Sequence, residues 1–223
     1  MQDKAFLIID THGSRSEGRC IIGLCTPATV ELELSFNGDL FQVGYEVALF
    51  HILHDIIYNL NATRPAAVCV VTGPGSFQGI RVGVACARAL GLVWKIPVIG
   101  VSAYEVLAYR FWMETHRRGR LGVVVKNDKG MGSFQKFLLT EENVLPCSKA
   151  VEFLYKNLEE VEIFGKLHYI IGSMMSSHVI NGEFIPRYGD VFLETVAALG
   201  QKKIDEGEGK KSARPFYIRE SVF

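Results

Sequence analysis

The segment VVTGPGSFQGIRVGVACARAL, Val70 to Leu90, passes from a strand pattern through two glycines and a proline into a helical pattern that is almost free of charge. A strand followed directly by a helix is one step of the β-α-β-α-β alternation that the chain shows around it, and that alternation implies a mixed sheet with helices packed on it. Gly73 and Gly75 can take positive φ angles and allow close approach of another group to the backbone, and Ser76 is placed to cap the helix that begins at Phe77. The same geometry points amides and a partial positive charge outward from the helix start. The bend lacks the Lys-Ser/Thr of a Walker loop, and G-P-G-S-F-Q-G does not fit G-x-G-x-x-G. Two readings therefore stand side by side: a plain corner, or a weak anion or nucleotide site.

Asp10, at the end of the first strand in IIDTHGS, carries the same ambiguity. Its carboxylate either holds a cation beside phosphates or caps its own turn through the amides of Thr11 and Gly13. Were Asp10 and the amides after Gly75 to lie across a cleft, the pair would look like a nucleotide site; sequence does not place them together.

Periodicity predicts strands at Lys4 to Thr11, Cys20 to Cys25 and Thr29 to Ser35, a helix from Val43 to Leu60, and a strand from Ala66 to Thr72. A helix from Phe77 to about Trp94 and a short strand at Pro97 to Gly100 follow. A looser version of the same rhythm comes next: helix Ala103 to His116, strands Leu121 to Lys126 and Ser133 to Leu139, helix Ser148 to Leu158, strand His168 to Gly172, helix Val191 to Ile204. Two related α/β halves, 1–102 and 103–206, are expected, each a mixed sheet with packed helices. A solvated linker and tail, 207–223, ends in RPFYIRESVF and is able to dock back on the first half. With 223 residues, 48% of them apolar, the chain has enough material for such cores.

Charge and reactive side chains exclude more than they suggest. The 24 basic and 24 acidic residues cancel, so no whole-molecule field favours unaided binding to nucleic acid or membrane. The N-terminal apolar run is too short for a signal peptide, and Arg81, Arg88 and Lys95 interrupt the longest apolar stretches; a cytoplasmic location is expected. Cys20, Cys25, Cys69, Cys86 and Cys147 contain no C-x-x-C pair and read as buried free thiols. His51 and His54 read as solvent-facing imidazoles, and the Glu141-Glu142 pair as a solvated surface. No H-E-x-x-H or G-x-S-x-G occurs, and Ser76 has no evident base. No catalytic residue, metal site or intrinsic cofactor is assigned.

The two helices of the first half are too apolar for their place. On a helical wheel Val43, Val47, Phe50, Leu53, Ile57 and Leu60 form one stripe, and Tyr45, Leu49, Ile52 and Ile56 form a second. Together they span about 220°, whereas a helix on one sheet needs little more than about 100°. From Phe77 to Trp94 the only charges are Arg81 and Arg88, on one face with Gln78, while Ala85, Ala87, Ala89 and Gly91 permit close helix approach. Either sheet and tail enclose both helices within the monomer, or another chain packs on them.

FLIIDT at the start, VVTGPGSFQGIRVGVACARAL, PVIGVSAYEVLA and the closing RPFYIRE resemble the bacterial TsaB (YeaZ) family, clearly over the first 110 residues and faintly beyond. The resemblance implies a two-subdomain actin/hexokinase-like (ASKHA) fold and a non-catalytic scaffold role beside TsaD, which with the ATPase TsaE transfers a threonylcarbamoyl group to an adenosine of certain tRNAs. It implies tRNA contact only through that complex, ATP at most at a joint interface, and a partner surface formed by the two N-terminal helices, at Tyr45, Leu49, Ile52, Leu53, Ile56, Arg81 and Arg88. Whether isolated copies form a homodimer is left open. TsaD-like proteins carry two metal-binding histidines where this chain has Ala103 and Leu107, neither a ligand. The chain departs from the family at His12 (usually Ser), at Gln78 (usually Thr) and in VVKNDKGMGSF. A stand-alone ATPase or phosphotransferase using Asp10 and the Gly73 to Ser76 bend is the alternative, and the glycopeptidase label of the wider family finds no nucleophile here.

Overall fold

The computed structural model of the chain describes residues 5–13, 20–36, 53–54, 57–58, 64–126, 131–154, 166–172, 183–185, 192–208 and 213–218. It divides into two compact units, one made of 1–102 with 192–216, the other of 103–191 with 217–223.

In the first unit β1 (Phe6–Asp10), β2 (Cys20–Cys25) and β3 (Val30–Phe36) form an antiparallel meander. Next, β4 (Ala67–Val71) runs parallel to β1, and β5 (Val98–Val101) parallel to β4, giving the order β3-β2-β1-β4-β5. Alternation along a strand sends Leu7, Ile9, Val68 and Val70 to one face, where Ile80, Val84, Ala87 and Leu90 of α1 (Phe77–Trp94) cover them. Each of these larger side chains gains about 1.5–3 kcal/mol by leaving water. The helix ends where Lys95 turns left-handed at φ 56°.

The opposite face is covered by α3 (Leu193–Asp205). A Cβ on its Gly200 would lie 2.3 Å from the Cys69 Sγ, and the Cys25 thiol donates to the Leu193 carbonyl at 3.5 Å. With helices on both faces, β1 and β4 are apolar along their length, as FLII and AVCVV are, and Asp10 closes β1 at its C-terminal end. The grouping by which α3 joins the first unit differs from the expected division at 206. Sequence order assigns this helix to the second half, but its small face at Gly200 fits against Cys69. Ala213 is buried, and the Phe216 N–H donates to the Thr72 carbonyl at 2.9 Å, so the start of the tail lies on the first unit.

The second unit repeats the connectivity. In it β6 (Gly119–Lys126) and β7 (Met131–Leu139) pair antiparallel, with β8 (Val144–Pro146) and β9 (Val151–Leu154) both antiparallel to β7. On the other side β10 (Tyr169–Gly172) runs parallel to β6, and β11 (Glu183–Ile185) parallel to β10. The helix α2 (Ala103–Thr115) packs on this sheet, with Tyr104, Val106, Leu107 and Phe111 buried.

Three expectations need correction or restriction. The helix expected at Ser148 to Leu158 is a strand at β9, because Gly132 on β7 makes room for the Phe153 ring, which a Cβ there would meet at 2.6 Å. Of the helix expected at Val43 to Leu60, only Leu53, His54, Ile57 and Tyr58 are described, all helical; the rest lies outside the described residues. Cys20, Cys25 and Cys69 are buried free thiols, whereas Cys86 is half-buried and Cys147 exposed, contrary to uniform burial. No described helix is long and apolar enough to cross a membrane.

Candidate functional site

The parallel pairing of β1 with β4 brings their C-terminal ends together, and with them the two loops flagged in the sequence. Asp10 is 4% exposed. Its Oδ1 accepts the His12 N–H at 3.1 Å and lies 2.5 Å from the His12 Nδ1. The turn is therefore capped through His12, not through the amides of Thr11 and Gly13. Thr11 is buried and donates its hydroxyl to the Gly79 carbonyl at 2.7 Å, and the Ser76 N–H donates to the His12 carbonyl at 2.8 Å.

This direct seating of one loop on the other accounts for the glycines. A Cβ on Gly75 would stand 2.1 Å from the His12 carbonyl oxygen, and one on Gly83 would stand 2.2 Å from the Thr11 Oγ1. A Cβ on Gly73 would meet the Ile80 side chain at 2.7 Å. The Gly73–Pro74 peptide is cis. Ser76 caps α1, its Oγ accepting the Gly79 N–H at 3.3 Å. Asp10, Gly73, Gly75 and Ser76 thus meet at one place, and the contacts they make there are those of a packed corner. His12 is the residue that sequence reading missed, and the departure from Ser at that position was the available signal.

The second candidate is the outer face of α1. Phe77, Arg81, Ala85, Arg88 and Leu92 are all exposed, and at 3.6 residues per turn they fall within about 80° of arc. The exposure is 54% at Phe77, 80% at Leu92 and 73% at the neighbouring Val93. The Arg81 guanidinium sits 4.0 Å from the Phe77 ring centroid, an arrangement that keeps a cation beside apolar surface. Arg81 and Arg88 share one face, as their seven-residue spacing predicts. Of the other expected partner residues, Leu53 is partly buried against the core under α1, and Ile57, placed on the same stripe, is exposed together with Tyr58. Tyr45, Leu49, Ile52 and Ile56 lie outside the described residues. His54 is exposed and stacks on Tyr58 at 6.3 Å.

On α2, Ala103 and Leu107 are both buried, so the two positions compared with metal-binding histidines are core positions here. Among the described residues no group of three or more His, Cys, Asp or Glu is placed to hold a metal.

Comparison with known proteins bears on these features. The family model for TsaD, tRNA N6-adenosine threonylcarbamoyltransferase, matches residues 35–131. The tRNA threonylcarbamoyladenosine biosynthesis protein TsaB of Buchnera aphidicola subsp. Schizaphis graminum is 39% identical over 46 residues, 21% of this chain and 22% of that protein. TsaB of Escherichia coli is 38% identical over 60 residues, 27% of this chain and 25% of that protein. The matched segment thus spans about a quarter of these curated relatives. YeaZ from Pseudomonas aeruginosa superposes with a TM-score of 0.65 at 17% identity, covering 96% of this chain and 100% of that one. A Bacteroides thetaiotaomicron protein described as having an actin-like ATPase fold gives 0.50 at 8% identity over 89% of this chain and 96% of its own. The fold is accordingly α/β of the actin-like (ASKHA) kind, two mixed sheets each with its helices. The matched segments are similar to TsaB and TsaD proteins, and the superpositions show the fold.

Proposed function

We propose that the chain is a non-catalytic scaffold in the biosynthesis of N6-threonylcarbamoyladenosine in tRNA, and that it holds a TsaD-like catalytic subunit through the outer face of α1. The observation that carries this reading is the exposed face of that helix, with Phe77 at its start, Leu92 and the neighbouring Val93 at its end, and Arg81 and Arg88 between them. Exposed apolar area concentrated on one helix is the usual mark of a protein contact, with arginine and aromatic residues at its energetic centre. The scaffold acts by binding one conformation of its partner more tightly than others, which raises that conformation's population. A TsaE-like ATPase works in the same complex, and RNA is processed on the catalytic subunit.

A stand-alone ATPase draws on Asp10 and the bend. The bonds from His12 to the Asp10 carboxylate and from the Ser76 amide to the His12 carbonyl argue against it, because they consume groups such a site would offer to a cation and phosphates. Co-expression with the TsaD-like subunit followed by size-exclusion chromatography tests the choice. Co-elution of the two chains, with no ATP turnover by the purified chain alone, is the expected result; separate elution together with steady ATP hydrolysis by the lone chain would reverse it.

A further inference from the structure

We propose that the basic corner of the second unit, where α2 turns into β6 beside the entrance to β10, is a contact surface for the phosphodiester backbone of RNA. The segment His116 to Arg120 reads HRRGR, three arginines within five residues of a chain whose total charge is zero. The corner is built by backbone turns, with His116 at φ 51° and Gly119 at φ 126°. A Cβ on Gly119 would lie 3.0 Å from the His168 ring, so the small residue is what lets the second loop come alongside.

The parallel register of Leu121 with Tyr169 sets Arg120 opposite His168. The Arg120 N–H donates to the His168 Nδ1 at 3.0 Å, and the His168 N–H donates to the Arg120 carbonyl at 2.9 Å. With Nδ1 accepting, the ring proton of the neutral imidazole sits on Nε2, which leaves it as a donor on an exposed residue. The Arg117 guanidinium lies 5.1 Å from the Tyr169 ring centroid and is held there. Arg118, Arg120 and Lys166 are exposed. Arg118 is paired with Glu141, and an exposed pair of that kind is weak enough for a phosphate to replace the carboxylate.

Several cations, a donor imidazole and an aromatic ring on one edge match a backbone of spaced phosphates with unstacked bases between them. Leu138, 39% exposed, stands opposite Arg120 on β7, and one half-exposed aliphatic side chain is less than the apolar centre that a folded acidic protein would call for. The choice of RNA over another polyanion rests on the proposed role in tRNA modification. Within that role the corner gives the scaffold its own hold on the RNA.

The test is fluorescence anisotropy of the full-length chain with a labelled unmodified tRNA transcript, from about 50 to about 200 mM salt. Wild type is expected to bind with strong salt dependence. The double variant Arg118→Ala/Arg120→Ala should bind about tenfold more weakly and lose about 2 from the slope of log K against log salt. Arg118→Lys/Arg120→Lys should keep most of the affinity, since backbone contacts need charge more than fork geometry. An unfolding midpoint equal to wild type is expected for the Ala variant, both side chains being exposed. Failure of wild type to bind, equal binding by the Ala variant, or binding to phosphatidylserine vesicles in place of tRNA would each overturn the proposal. Co-elution with the TsaD-like subunit, read separately, decides the scaffold role: its loss with RNA binding intact would remove that role and leave the corner standing.

Discussion

Gly75 is small because the His12 carbonyl stands where its side chain would be. Such a clash with backbone cannot be relieved by a rotamer change, so Gly75→Ala is expected to cost about 1–3 kcal/mol or more in urea unfolding. A loss under about 0.5 kcal/mol would show that the two loops do not sit on each other as described. The glycines of the bend were legible in the sequence, but their reason was not, because the group that crowds Gly75 lies more than sixty residues away in the turn after β1. The thiols supply a second residue-scale consequence. Burial pushes the Cys25 thiol up to about 12, with nearby Glu194 adding to the effect, and burial likewise raises Cys20 and Cys69. In the unfolded chain these thiols ionise near pH ~8.5. The folded state holds its protons longer, so this stability is complete below that pH and is lost as pH rises toward the folded values. Urea midpoints should fall between about pH 8.5 and pH 10, and fall less steeply in Cys69→Ala; equal slopes in the two proteins would contradict the burial of Cys69.

At the scale of elements, α1 was legible at its start, which carries a capping serine, and closely at its end, which meets Lys95-Ile96-Pro97. Sheet membership was not. Nothing in VFLETVAALGQKKI says which sheet Gly200 will face, since an amphipathic stripe specifies burial but not the partner. The strand β9 was misread for a similar reason: four residues hold too little periodicity to separate strand from helix, and the deciding neighbour, Gly132, is on another strand. The docking of α3 can be tested by a double-mutant cycle. Gly200→Ala should destabilise the chain by about 1–3 kcal/mol through the Cys69 Sγ, and Cys69→Ala in the same chain should recover most of that loss. Additive effects would place α3 elsewhere.

For the whole molecule, the repeated connectivity of the two sheets explains how one chain folds into two α/β units: a meander, then two strands parallel to the first, twice over. That rhythm was readable from alternating strand and helix patterns. The basic corner at His116 to Arg120 was not, because net charge conceals a local excess. Function rests on which surface remains uncovered. Among the described residues the outer face of α1 bears Leu92 at 80% exposure, while Leu138 on the second unit, 39% exposed, serves as a control away from that face. Isothermal titration of the TsaD-like subunit into wild type, Leu92→Glu and Leu138→Glu measures the claim directly. The account predicts that Leu92→Glu weakens binding by about 2 kcal/mol or more, roughly thirtyfold, with Leu138→Glu close to wild type; equal affinities for wild type and Leu92→Glu would contradict it.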